Sequence, residues 1–394
     1  MNPQDIVIVA AARTPQGRLS GQLSSLTAPQ LGSAAIRGAL ERGGIAPGAV
    51  DAVIVGQVLA AGSGQNAARQ AAVGAGIGWD VPSHSVNKVC LSGLTAVIDA
   101  ARMIAVGDAE VVVAAGMESM SRAPHLLMGS RTGWTYGSVE VLDHMAHDGL
   151  TDAYDGVSMG LSTENHNPRY GVERAAQDEV AALSHQRAAA ATEAGVFDDE
   201  IVPVEIPQRR GEPVVVTRDE GIRPDTTVET LARLRPAFAE GGSITAGNSS
   251  QISDGASAVV VTTRERAERE GWRALATIGA SGQTAGPDNS LQAQPAAAIR
   301  RALEKQGIDV ADLDLVEINE AFGAVVAHSA RELGLSSDIV NIHGGGIAIG
   351  HPIGASGNRL VVHAAHELAR RGGGTAVVAL CGGGGQGDAL VLTA

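Results

Sequence analysis

Apolar residues in this chain gather in short continuous runs rather than in strict alternation. They read "IVIVAA" (residues 6–11), "DAVIVGQV" (51–58), "EVVVAAG" (110–116), "ASAVVVTT" (256–263), "LDLVEIN" (313–319) and "TAVVAL" (375–380). Val/Ile-rich runs of about four to eight residues are the mark of strands buried on both faces. Between them lie Ala-rich stretches of helical character, at residues 31–42, 94–105, 295–306 and 360–371. An amphipathic helix is expected over 177–194, ended by Gly195. Strands alternating with helices predict a layered α/β protein.

The pattern repeats. "VNKVCLSG", a helix and "GDAEVVVAAGMES" are answered by "VNIHGGGIAIGHPIGASG", a helix and "RGGGTAVVALCGGGG". Val86-Asn87 answers Val340-Asn341, and Ser92-Gly93 answers Ser356-Gly357. Two similar βαβ-type halves would bring equivalent loops to one shared face. Cys90 lies in the first loop, His351 in the second, and Cys381 at the end of the second copy's strand. The boundaries this suggests are an N-terminal half at 1–120, completed by about 252–271, and a C-terminal half at 272–394. The stretch 121–251 is richer in charge, His, Pro and Asp, and is expected to be an inserted loop domain.

Composition narrows the function. With 394 residues and 44% hydrophobic content, the chain buries a large core. Aromatics at 2% leave no stacking platform for bases, and a net charge of −14 opposes a phosphate backbone, so a nucleic-acid partner is not expected. No run approaches the ~20 apolar residues of a membrane helix. The N-terminal apolar stretch is a strand's length with no basic leader. Two cysteines form no disulfide framework and suit a reducing compartment, so a cytoplasmic protein is expected.

Four residues carry candidate chemistry. Cys90 precedes an apolar helical run, where the positive end of a helix dipole would lower its pKa; a buried structural cysteine is the alternative. Cys381 precedes four glycines, whose freed backbone can aim N–H groups at an anion or simply turn. His351 sits on a stiff loop before Pro352, placed to act as a general base or held as a structural histidine. Asn319 ends a strand, where a neutral amide orients water or caps a helix. The pairs His144/His147 and His363/His366 lack further ligands nearby in sequence, so no metal site is expected.

With "VNKVCLSGL", "GMESMSRAPH", "LRPAF", "SITAGNSSQISDGA", "EINEAFGA", "GGGIAIGHPIGASGNR" and "LCGGGGQG" in this order, the chain resembles the thiolase family, acetyl-CoA acetyltransferase (acetoacetyl-CoA thiolase) branch, over nearly its whole length. The resemblance implies the thiolase fold, an α/β/α/β/α sandwich with an inserted loop domain. It implies that Cys90 takes the acyl group, that His351 activates Cys90, and that Cys381 moves the α-proton of a second acetyl-CoA. Asn319 would hold a water that forms one oxyanion hole with His351, and the N–H groups of Cys90 and Gly383 the other. For coenzyme A it points to Leu150, Met159, Arg223, Thr230, Phe238, Ala246, Ser250, Ala321 and Phe322. Acetyl-CoA, acetoacetyl-CoA and CoA are implied as substrates and products, with no metal or redox cofactor. It also implies a homotetramer joined by a loop near 121–141, with Met128, Trp134 and Tyr136 as anchors. Two places depart from the family pattern: Ser158, and "GQTAGPDNSLQAQPAAAI" at 282–299, which lacks the usual methionine. The altered segment, near Ala285 to Gln294, keeps a broader 3-ketoacyl-CoA thiolase as the alternative.

Overall fold

The computed structural model describes residue 2 and residues 4–394. Every apolar run lies in a strand. In chain order the first half contributes β1 (Ile6–Arg13), a short β2 (Gly17–Arg18), α1 (Ala28–Gly43), β3 (Ala52–Gly56), α2 (Ala67–Gly74), β4 (Ser83–Val86), α3 (Ser92–Ala105) and β5 (Val111–Ser119). The middle region holds two small ribbons, β6 (His125–Leu126) with β7 (Leu142–Asp143) and β8 (Val204–Ile206) with β9 (Val214–Val216). It also holds α4 (Met159–Tyr170), α5 (Arg174–Glu193) and α6 (Val228–Ala232). Then come β10 (Ser253–Thr263), α7 (Arg264–Glu270), β11 (Ala276–Ala285), α8 (Gln294–Gln306), β12 (Leu315–Ile318), α9 (Gly323–Leu333), α10 (Gly346–Ile349), α11 (Ser356–Arg371), β13 (Thr375–Gly382) and β14 (Gln386–Thr393).

Among the described residues the main sheet has ten strands, in the path β12-β13-β14-β11-β1-β10-β5-β3-β4, with β2 alongside β10. β3 runs parallel to both β4 and β5, and β12 runs parallel to β13. The junction between the half-sheets is thin: β1 meets β11 only through Val7–Thr277 and Ile8–Ala276. Continuous apolar strands need cover on both faces, and three hydrophobic cores supply it. α1 and α2 cover one side of the N-terminal half-sheet, with Leu31, Ile36 and Ala71 against Val53 and Val113. α3 and α11 lie between the half-sheets, with Leu94, Val97, Leu360 and Val361 against Val112, Val259 and Val378. α8 and α9 cover the outer side of the C-terminal half-sheet, with Ile299 and Val326 against Val316 and Val377. The result is the expected α/β/α/β/α order.

The two central helices approach unusually closely. A Cβ on Gly93 would lie 2.8 Å from the Asn358 nitrogen, and one on Gly357 would lie 2.6 Å from the Leu94 nitrogen. These two glycines let equivalent helices from the two halves touch backbone to backbone.

Of the main-sheet strands longer than two residues, three do not show in the apolar pattern. β4 reads "SHSV" and forms a polar edge strand. β11 is glycine- and threonine-rich and only partly buried. β14 starts directly after the glycine turn, so its strand character is masked by the flanking sequence. The helix expected at 177–194 is α5, extended by a turn at its start and followed by Gly195 at φ +71°.

Candidate active site

The nucleophile candidate sits on a tight turn between β4 and α3. Val89 occupies φ +50°, a left-handed conformation that a β-branched side chain adopts only under constraint. Local hydrogen bonds hold it there. The Val89 N–H donates to Asn87 Oδ1 at 3.0 Å. The Lys88 N–H donates to Ser92 Oγ at 2.8 Å, and that hydroxyl donates to the Val89 carbonyl at 2.6 Å. Cys90 is thereby presented, half-buried, just before the first turn of α3. The backbone N–H groups of Cys90 and Gly383 face its sulfur.

The expected lowering of the Cys90 pKa does not occur. Burial pushes the thiol up to about 12, the two N–H groups offset only part of this, and the nearby Glu118 charge adds to the rise. Desolvation of a thiolate exceeds what one helix terminus returns. Cys381 is buried, and its thiol is pushed up by burial and then by the charge of Cys90.

The second half brings its groups to the same place. Gly382 and Gly383 lie against the nucleophile turn: their Cβ positions would be 2.7 Å from Leu91 Cγ and 3.4 Å from Val89 Cγ1. His351 is buried, and its Nδ1 lies 2.5 Å from Ser356 Oγ. Burial, reinforced by the Arg359 charge, pushes His351 down to about 3, so the imidazole is neutral at physiological pH. Asn319 Nδ2 lies 3.4 Å from His351 Nε2, and Asn319 Oδ1 is buried with no hydrogen-bond partner. That free acceptor faces Gly346, whose Cβ would be 3.2 Å away.

Of the residues proposed for coenzyme A, most gather beside this centre. Met159 donates its N–H to the Leu150 carbonyl at 2.8 Å, and Leu150 and Cys90 pack against one apolar cluster around Leu59 and Ile353. Ala321, Phe322 and Met159 pack around Cys381. Phe238 meets Phe322 edge-on at 6.2 Å and crowds Gly160. Ser250 donates its N–H to the Ala321 carbonyl at 3.0 Å. Ala246, Thr230 and Arg223 are exposed, farther out. The Ala246 segment leans on α6 through Gly247 and Leu231, and the Thr230 hydroxyl is engaged with Thr227 in the α6 cap. The Arg223 N–H donates to His185 Nδ1 at 3.1 Å.

Two neighbours of the candidate site escaped sequence reasoning. Ser356, five residues after His351, orients the imidazole; the "HPIGAS" spacing was its only signal. Glu118, in "GMES", accepts the N–H groups of Val58 at 3.0 Å, Leu59 at 3.1 Å and Gly354 at 3.0 Å, tying the His351 loop to the first half. An acid inside an otherwise apolar strand was the signal. The histidine pairs have other partners: His144 and His147 both contact Asp148, His363 contacts Glu200, and His366 contacts the Ala11 carbonyl.

Comparison with known proteins matches this architecture. A family model described as the thiolase N-terminal domain matches residues 6–265, and one described as the thiolase C-terminal domain matches residues 272–394. The chain is 58% identical over 388 residues to a protein named probable acetyl-CoA acetyltransferase from Mycobacterium tuberculosis, covering 98% of this chain and 99% of that one. It is 50% identical over 390 residues to an acetyl-CoA acetyltransferase from Pseudomonas aeruginosa, covering 99% of each. It is 46% identical over 388 residues to a probable acetyl-CoA acyltransferase from Staphylococcus epidermidis, covering 98% of each. With both family domains matched in order and full-length relatives at this identity, the chain belongs to the thiolase family and is an acyltransferase of the acetyl-CoA acetyltransferase branch.

Proposed function

We propose that this enzyme catalyses the reversible condensation of two acetyl-CoA molecules to acetoacetyl-CoA and CoA, by a ping-pong route through acyl-Cys90. The observation that carries the reading is that Cys381 lies close enough to Cys90 to feel its charge, with the N–H groups of Cys90 and Gly383 on the Cys90 sulfur and Ile353, from the loop of the buried neutral His351, in the apolar cluster against which Cys90 packs.

In the first half-reaction His351 takes the Cys90 proton as the sulfur attacks the thioester carbonyl. The CoA thiolate leaves with a proton from Cys381, and the acyl group stays on Cys90. In the second, the Cys381 thiolate removes an α-proton from acetyl-CoA. The carbanion attacks acyl-Cys90 and expels Cys90, which recovers its proton from His351. Burial and the charge of Cys90 raise the pKa of the Cys381 thiol, so its thiolate forms when it gives its proton to the leaving CoA and is then strongly basic. Charge develops on the thioester oxygen in both steps. The N–H pair serves one oxyanion, and Asn319 with His351 serves the other. Every proton and acyl group is carried by thiol and imidazole groups, so the reading calls for no metal or redox cofactor.

Leu150, Met159, Phe238, Ser250, Ala321 and Phe322 would line the pantetheine path. Arg223, Thr230 and Ala246 would meet the nucleotide end, where an exposed cation suits phosphate. A Cβ on Gly383 would lie 3.4 Å from Val89 Cγ1 and 4.0 Å from Met159 Sδ, and we take these two side chains to bound the acyl end of the site. The Staphylococcus relative's broader acyltransferase name supports the second reading, a 3-ketoacyl-CoA thiolase. Thiolysis rates with acetoacetyl-CoA and longer 3-ketoacyl-CoA esters, with mass spectrometry of the trapped acyl-enzyme, decide between them. Acetoacetyl-CoA is expected to be preferred, with the acetyl group on Cys90. Comparable rates with long chains would favour the second reading, and a label absent from Cys90 would overturn both.

A further inference from the structure

We propose that Lys88 is a positioning residue, and that its ion pair with Asp388 sets the Cys90 turn of one half against the Cys381 strand of the other. The inference rests on the proposed function, since it concerns the alignment of the two sulfurs. Lys88 Nζ lies 2.7 Å from Asp388 Oδ1 and 2.9 Å from Oδ2, across a separation of 300 residues. The Asp388 side chain is fully buried, whereas that of Lys88 is 23% exposed.

The placement of the pair matters more than its strength. Lys88 is two residues before Cys90. Asp388 stands on β14 opposite Leu380, and its neighbour Gly387 stands opposite Cys381. The ion pair therefore links the turn that carries Cys90 to β14, the strand paired with the Cys381 end of β13. The hydrogen bonds around Val89 are local and shape the turn, while the Gly383 N–H on the Cys90 sulfur links that turn to the end of β13. Leu91 against Gly382 adds contact without direction. The ammonium acts as a point charge that reaches both carboxylate oxygens, so the contact limits how far the turn can move from β14. Asp388 is itself held by Thr95 Oγ1 at 3.2 Å, in the first turns of α3, and by Gln283 Nε2 at 3.3 Å on β11. Buried ion pairs add little net stability over apolar replacements, so geometry is the better account of this one.

The test compares wild type with Lys88→Met/Asp388→Asn, which removes both charges and keeps an acceptor for Thr95, and with Lys88→Arg, which keeps the pair. The double variant is expected to fold with a urea midpoint near wild type. Its kcat for thiolysis should fall at least about tenfold with KM within about twofold, since small misplacements at a reacting centre cost up to about 10²-fold. Lys88→Arg is expected to restore most of kcat. A double variant with wild-type kcat, or a loss matched by the unfolded fraction or confined to KM, would overturn the proposal. Should the double variant not fold, Lys88→Gln is judged by the same split. Wild type without thiolase activity defeats the proposed function instead; active wild type with unaffected variants defeats only this inference.

Discussion

At the scale of single residues, the resting site is a neutral one. Cys90 is a thiol held up to about 12 and His351 an imidazole held down to about 3, so no thiolate–imidazolium pair stands ready. Both shifts have burial as their largest cause. On the proposed mechanism, charge separation waits for the thioester, whose oxygen would receive the negative charge among fixed donors. The sign of the Cys90 shift gives a pH prediction. Below its pKa the thiolate fraction rises tenfold per pH unit, so iodoacetamide alkylation of the free enzyme's Cys90 should climb steadily from pH 7 to 10. A plateau beginning near pH 7 would mean that the helix end wins after all. Ser356→Ala removes the partner of His351 Nδ1. It should lower kcat about 10- to 100-fold with the fold intact, because a mis-set base is nearly as poor as none; unchanged kcat would show that other contacts orient the ring. The identities of Cys90, Cys381, His351 and Asn319 as chemical candidates were legible in the sequence. Their protonation states were not, because desolvation depends on neighbours that only folding supplies.

At the scale of elements, the site depends on how closely α3, α11 and the His351 loop pack. A Cβ on Gly116 would lie 2.5 Å from the Gly354 carbonyl oxygen, and one on Gly93 would lie 2.9 Å from it, so backbone meets backbone with nothing able to yield. Gly93→Ala should therefore destabilise by about 1–3 kcal/mol or more, read as a lower urea midpoint at constant m-value. A midpoint equal to wild type would show that the halves can separate slightly without penalty. Glu118→Gln places an amide N–H₂ where backbone N–H groups now point at a carboxylate. It is expected to cost about 1–3 kcal/mol and to slow the enzyme by loosening the His351 loop, as thermal melting and thiolysis rates would register. The buried strands and Ala-rich helices announced themselves through hydrophobic pattern. β4 did not, because an edge strand of "SHSV" carries the composition of a loop and takes its shape from pairing with β3.

At the scale of the whole molecule, one ten-stranded sheet carries strands from both ends of the chain, and the middle region contributes α4–α6 and two small ribbons. The 127–141 stretch leaves Met128, Trp134 and Tyr136 exposed, a collection of large apolar groups unusual in a chain so poor in aromatics. We expect it to join dimers into a tetramer: light scattering should give four chains, and Trp134→Ser with Tyr136→Ser should give two. A wild-type monomer at micromolar concentration would sink that expectation. Among the described residues no helix is long and apolar enough to cross a membrane. The sequence by itself determined the strand-and-helix alternation, the duplication and the reactive residue types, because hydrophobic period and motif order are local properties. Only the tertiary structure decided that the two sulfurs meet, that Ser356 and Glu118 serve the histidine loop, and that Lys88 finds Asp388. Those contacts join residues far apart in the chain, and a buried environment exists only once the two halves have closed on each other.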